Sequence, residues 1–168
     1  AGEAAAEISS LGYPPPEGLD VLREAIAAHM EAWGISCTPG QVLVSSGALQ
    51  ALQMISVSLL SAGSTVYAEA PSYIKSLQVF QSAGMKLAGV PMDEHGLDVD
   101  ALGRLMGGGS QSEGMTATVP SAPQTSLPPR AKATRENDAV LYTIPTNHNP
   151  TGVTMSEPRR RALIASCV

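Results

Sequence analysis

The chain has 168 residues, 43% of them apolar, which is enough for one domain with a hydrophobic core; only 4% are aromatic, so Leu, Val, Ile, Met and Ala must build that core. A formal net charge of −5 argues against a nucleic-acid-binding domain, whose basic face neutralises phosphates, and favours small-molecule chemistry. Cys37 and Cys167 match no metal-ligand, redox or disulfide spacing, so no metal site is expected and the thiols read as reduced, as in a cytoplasmic protein.

Residues 1–9 are rich in Ala and Glu and lack the basic flank and apolar stretch of a signal peptide; without an initiator Met, the chain reads as preceded by a removed segment. Over 19–32, the spacing of Leu19, Leu22, Ile26 and Met30 predicts one apolar helix face, and Gly34 ends the helix. After the turn Thr38-Pro39-Gly40, residues 41–45 carry Val42-Leu43-Val44 and predict a short buried strand. A helix follows over 48–60. The apolar region 49–62 is interrupted by Gln50 and Gln53 and is too short to cross a bilayer, so a buried helix is expected and no membrane partner.

The alternation continues with a strand at 65–68, a helix at 72–83, a strand at 86–90 and a helix at 99–106. This order predicts an α/β fold, a mostly parallel sheet sandwiched by helices with right-handed crossovers. Residues 107–137, rich in Gly, Ser, Pro and Thr, read as a disordered insertion, a surface excursion being preferred over an error in the gene sequence. A strand at 139–143, the segment Asn147-His148-Asn149-Pro150-Thr151-Gly152 and a helix N-capped by Ser156 complete the chain.

Three segments stand where a parallel sheet presents ligands, just past strand ends. Val44-Ser45-Ser46-Gly47-Ala48-Leu49-Gln50 leads through glycine into a helix, aiming backbone N–H groups at one point, though a glycine there also serves only to relieve crowding. It matches neither the dinucleotide fingerprint nor the P-loop. Glu69-Ala70-Pro71-Ser72-Tyr73 offers an aromatic that either stacks on a flat cofactor or packs at a helix start. The Asn149-Pro150-Thr151-Gly152 turn either directs an asparagine amide at a ligand or is an ordinary turn. His148 reads as a half-exposed residue beside that turn more readily than as a ligand contact.

Together, in this order, the segments resemble the class I/II aminotransferases of the pyridoxal-phosphate fold-type I superfamily, nearest the aminoadipate and kynurenine aminotransferases and the aminotransferase-like domains of bacterial regulators. Tyr13-Pro14-Pro15-Pro16-Glu17-Gly18 with Leu22-Arg23 and Ile26 is similar to the family's opening Y-x-x-x-x-G-x-x-x-L-R-x-x-I. The resemblance covers residues 1–168 except the insertion and implies a partial large, cofactor-binding domain. It implies pyridoxal 5'-phosphate as cofactor, with Gly47, Ala48 and Leu49 at its phosphate, Tyr73 stacked on its ring and Asn149 on its phenolic oxygen. It also implies amino-acid and 2-oxo-acid substrates, met by Tyr13, Gly18 and Asn149, and a homodimer in which Tyr13 reaches the neighbouring subunit.

Ala48 and Leu49 replace the family's frequent hydroxyl or amide residues, leaving backbone donors for the phosphate, and Asn147-His148 replaces an aromatic-glutamine pair. The Schiff-base lysine, the acidic partner of the pyridine nitrogen and the carboxylate-binding arginine fall, in the family, beyond the Asn149 turn. Lys75, Lys86 and Lys132 stand in the wrong segments, so no catalytic residue is assigned. The expectation is a truncated enzyme inactive by itself unless complemented by a C-terminal segment. The alternatives are a non-catalytic cofactor-sensing or dimerisation module and a truncated gene product.

Overall fold

The computed structural model describes residues 13–107 and 139–166, so the expectations for residues 1–9, for 108–137 of the insertion and for Cys167 lie outside the described residues. The chain divides between Ala51 and Leu52 into two compact units.

In the N-terminal unit, α1 (Asp20–Glu31) ends where Gly34 adopts φ +76°. The Gly34 N–H donates to the Glu31 carbonyl at 2.9 Å and the Ile35 N–H to the Met30 carbonyl at 3.1 Å, a Schellman pattern that satisfies the last carbonyls. Of the predicted apolar face, Ile26 and Met30 are half-buried beside the buried Ala27, whereas Leu19 and Leu22 stay exposed. A single 3₁₀ turn (Pro39–Gln41) follows, capped by the Thr38 N–H donating to Gln41 Oε1 at 2.9 Å.

The strand expected over 41–45 is not formed. Val42 is extended, yet its carbonyl accepts from Arg23 Nε at 3.0 Å, and the Val44 N–H donates to the Glu17 carbonyl at 2.9 Å. Groups that would enter a sheet ladder are thus taken by an α1 side chain and the segment before it.

Helix α2 (Ala48–Leu59) leads into the C-terminal unit, whose other elements are β1 (Thr65–Ala70), α3 (Ile74–Ser82), β2 (Lys86–Asp93), β3 (Gly96–Leu97), α4 (Val99–Met106), β4 (Ala139–Tyr142) and α5 (Glu157–Ser166). The sheet order is β3-β2-β1-β4, with β1 parallel to both β2 and β4 and the short β3 antiparallel to β2. This is the α/β arrangement that the alternation predicts.

Both sheet faces are covered. On one, Val90 and Leu97 pack with Ala101 and Leu102 of α4, Leu163 of α5 and Met155. On the other, Val66, Phe80 of α3 and Met85 pack with Leu52, Leu60, Val140 and Tyr142. Val66 and its neighbour Tyr67 serve opposite clusters, as the two-residue period of a strand requires. The Phe80 and Tyr142 rings meet edge to face at 5.4 Å, and the Tyr142 hydroxyl donates to Ser76 Oγ at 2.8 Å.

Helix α2 is less buried than its sequence suggests. Ser56 is its one fully buried residue among those described, its hydroxyl donating to the Leu52 carbonyl at 2.8 Å, while Ile55 and Leu59 remain exposed. Apolar residues occur on every side of this helix in sequence, but Leu52 is the helix residue that packs against the Val66, Phe80 and Met85 cluster.

Sequence periodicity missed β3, because two residues carry no period. The hairpin is made instead by the turn after Asp93, where the His95 N–H donates to Asp93 Oδ1 at 2.8 Å and Gly96 takes φ +102°. A Cβ on Gly96 would stand 2.9 Å from Met155 Cγ and 3.1 Å from Met155 Cα. The Gly96→Ala chain is therefore expected to lose about 1–3 kcal/mol of stability through backbone strain and overpacking, read as a lower urea midpoint with unchanged slope.

Arg159 of α5 fastens the same hairpin, donating from Nη1 to the Leu97 carbonyl at 2.7 Å and from Nη2 to Asp93 Oδ2 at 2.9 Å. The hydrogen bond from Arg159 and then that from the His95 N–H hold the Asp93 carboxyl below the usual carboxylate range. A depressed folded-state value gives stability that is present above the unfolded-state value and lost as pH falls through the folded one. Thermal melts should show Asp93→Asn less stable than the parent at neutral pH, with the gap closing in that acidic window.

Candidate functional site

β1 and β4 are adjacent and parallel, so the segments leaving their carboxyl ends emerge at one edge of the sheet. At the end of β1, Glu69 is 2% exposed. Its Oε1 accepts from the Thr143 hydroxyl at 2.6 Å and its Oε2 from the Ile144 N–H at 2.9 Å, both in the segment just after β4. His148, also 2% exposed, brings Nε2 to 3.2 Å from Glu69 Oε2. That nitrogen has no partner of hydrogen-bonding geometry among the described residues, so the approach is a polar contact without a directed bond. His148 Nδ1 lies 2.9 Å from Thr151 Oγ1.

His148 is therefore buried and paired, contrary to the half-exposed placement that the sequence suggests. A carboxylate on β1 reaches it across a separation in sequence that no local pattern encodes.

The turn around Asn149 is held at many points. The His148 N–H donates to the Val153 carbonyl at 2.8 Å, the Gly152 N–H returns to the His148 carbonyl at 2.5 Å, and the Asn147 N–H donates to Thr154 Oγ1 at 3.1 Å. From α5, Arg160 donates through Nε to the Met155 carbonyl at 2.9 Å and through Nη2 to the Pro145 carbonyl at 2.6 Å, closing the base of the loop. Asn149 itself is exposed, and its side-chain amide has no hydrogen-bond partner among the described residues. A fixed turn thus presents a free amide.

Tyr73 occupies the N-cap position of α3, half-buried, its hydroxyl unbonded among the described residues. Beside it, Ser72 Oγ is buried with no partner there. Tyr73 and Asn149 thus belong to the same sheet edge, joined at its base by the Glu69 to His148 contact.

Tyr13, Gly18, Gly47, Ala48 and Leu49 belong to the N-terminal unit. Gly47 takes φ +107°, is exposed, and would bring an added Cβ within 4 Å of nothing. Ala48 and Leu49 are the exposed first residues of α2, where helical amides lack intrahelical acceptors, and the Ser46 N–H is taken by Gln50 Oε1. Gly18 has a structural reason to be glycine: at φ +104°, its Cβ would stand 2.6 Å from Val44 Cγ2. Tyr13 is fully exposed. Among the described residues no three His, Cys, Asp or Glu side chains are grouped to hold a metal, and no helix is long and apolar enough to cross a membrane.

The profile of the aminotransferase class I and II family matches residues 2–168, and the chain belongs to that family. It is 41% identical over 166 residues to a Bacillus subtilis protein, YdfD, described as an uncharacterized HTH-type transcriptional regulator, covering 98% of this chain and 28% of that one. Among solved structures, an archaeal alanine:glyoxylate aminotransferase superposes with a TM-score of 0.73 at 31% identity over 99% of this chain and 37% of that one. LysN, the α-aminoadipate aminotransferase of Thermus thermophilus, complexed with N-(5'-phosphopyridoxyl)-L-leucine, gives 0.68 at 30% identity over 97% and 35%. The chain spans about a third of the length of these proteins and matches part of their fold.

Removing the Glu69 carboxylate strands the half-buried Thr143 hydroxyl and Ile144 N–H. Glu69→Ala is expected to cost about 2–4 kcal/mol in urea unfolding, more than Asp20→Ala, whose carboxylate pairs with Arg23 at an exposed position.

Proposed function

We propose that this chain is the phosphate- and ring-binding part of a pyridoxal-phosphate-dependent aminotransferase, which moves amino groups between an amino acid and a 2-oxo acid. The carrying observation is the Asn149 amide, unpartnered among the described residues on a turn fastened from β1 and α5. An amide so placed suits the phenolic oxygen of the cofactor, and the half-buried ring of Tyr73 suits its flat face. The open Gly47 turn and the first amides of α2 suit its phosphate, with backbone donors alone because Ala48 and Leu49 supply none from their side chains. These residues fit the cofactor in kind.

When bound, pyridoxal phosphate supplies an electron sink for the substrate α-carbon. In this reading Gly47, Ala48 and Leu49 fix the phosphate, Tyr73 holds the ring plane, and Asn149 orients the ring by its oxygen. Tyr13 and Gly18 belong to the substrate side, with Tyr13 contributed across a homodimer. No lysine follows Asn149 within these 168 residues, so covalent attachment is assigned to no residue of this chain.

The 41% identity to a protein described as a transcriptional regulator favours a second reading, in which the same site senses the cofactor without turnover. Both readings expect the purified chain to retain pyridoxal phosphate in equilibrium dialysis, with competition by inorganic phosphate and roughly tenfold weaker retention in Asn149→Ala. Retention unaffected by phosphate and by Asn149→Ala would sink them together. Transamination by the 168-residue chain alone is expected to be undetectable, and measurable turnover without a complementing fragment contradicts that expectation.

A further inference from the structure

We propose that His148 is a positioning residue for Asn149, its ring held between Glu69 of β1 and Thr151 so that the backbone carrying the free amide is kept in one place. The inference rests on the cofactor reading above and adds a residue to it. His148 is buried with Nε2 at 3.2 Å from Glu69 Oε2 and Nδ1 at 2.9 Å from Thr151 Oγ1, so the ring spans from the sheet to the far side of the turn. Its backbone closes the same turn twice, through the His148 N–H to the Val153 carbonyl and the Gly152 N–H to the His148 carbonyl. Asn149 follows directly and has no side-chain hydrogen bond of its own among the described residues. What His148 fixes is therefore the backbone that carries the amide and the point from which its Cα–Cβ bond leaves the turn. A turn free to move would carry the amide to several places, and binding would then cost the entropy of selecting one.

The two ring nitrogens are separable by substitution. His148→Leu removes both polar contacts, His148→Gln keeps a polar group reaching toward Glu69, and Thr151→Val removes the Nδ1 partner at an exposed position together with the 3.3 Å bond that Thr151 Oγ1 accepts from the Val153 N–H.

Two measurements on the 168-residue chain decide the matter. The first is amide hydrogen exchange without cofactor: Gly152 is expected to exchange about tenfold faster in His148→Leu and faster in Thr151→Val, with the β1 amides of Val66 and Ala68 unchanged and His148→Gln closer to the parent. Unchanged exchange at Gly152, or equal acceleration in β1, overturns the proposal; if His148→Leu does not fold, His148→Gln gives the decision, a modest acceleration confined to the turn being expected and none overturning it. The second is a double-mutant cycle on pyridoxal phosphate retention. Asn149→Ala and His148→Leu should each weaken retention about tenfold, and the double variant no more than either alone, because His148 acts through Asn149. Independent, multiplying losses overturn it. A parent chain that retains no pyridoxal phosphate defeats the cofactor reading instead, and the exchange pattern then decides the positioning role by itself.

Discussion

A carboxylate buried at the end of β1 constrains everything around the candidate site. A carboxyl group removed from water is costly unless its oxygens are met by donors, and Glu69 meets them in the Thr143 hydroxyl and the Ile144 N–H. Those donors lie just beyond β4, so satisfying Glu69 fixes how the chain leaves that strand. His148 then closes over Oε2, and the Asn149 turn acquires a defined place above the sheet edge. Solvation of one side chain thus becomes the location of another.

The parallel pairing of β1 and β4 makes this economical. The in-register partners Ala68 and Tyr142 bring Glu69 and Thr143 to the same level of the sheet, so a short carboxylate reaches the next segment without a long loop. Packing on both faces keeps that register, with Val66 and Tyr67 pointing into separate clusters. The family of the chain accounts for its topology, while the local chemistry of this turn belongs to Glu69, His148 and Arg160.

Much of the fold was legible because its helices and strands declare themselves by period: Val99–Met106 follows from the sequence, and the β1, β2 and β4 strands differ from expectation only at their ends. Residues 41–45 misled because Val42-Leu43-Val44 looks like a strand, whereas Arg23 and Glu17, distant in sequence, take the backbone groups a ladder would need. Gly47, Tyr73 and Asn149 were legible as candidates through their place after predicted elements and through the family pattern. The Glu69 to His148 contact was not, since its partners stand 79 positions apart and neither neighbourhood signals the other. Nor did composition reveal that Gly18 is required by the closeness of Val44.

Helix α5 carries arginines at consecutive positions that grip different parts of the unit, Arg159 the β2–β3 hairpin and Arg160 the base of the Asn149 turn. Neighbouring helical residues point about 100° apart, so the two grips together set the rotation of the helix about its own axis. One residue added or removed between Met155 and Arg159 would turn each guanidinium away from its carbonyl. Length in this short stretch is consequently as binding a requirement as residue identity, and tolerance to insertion has to be sought elsewhere in the chain.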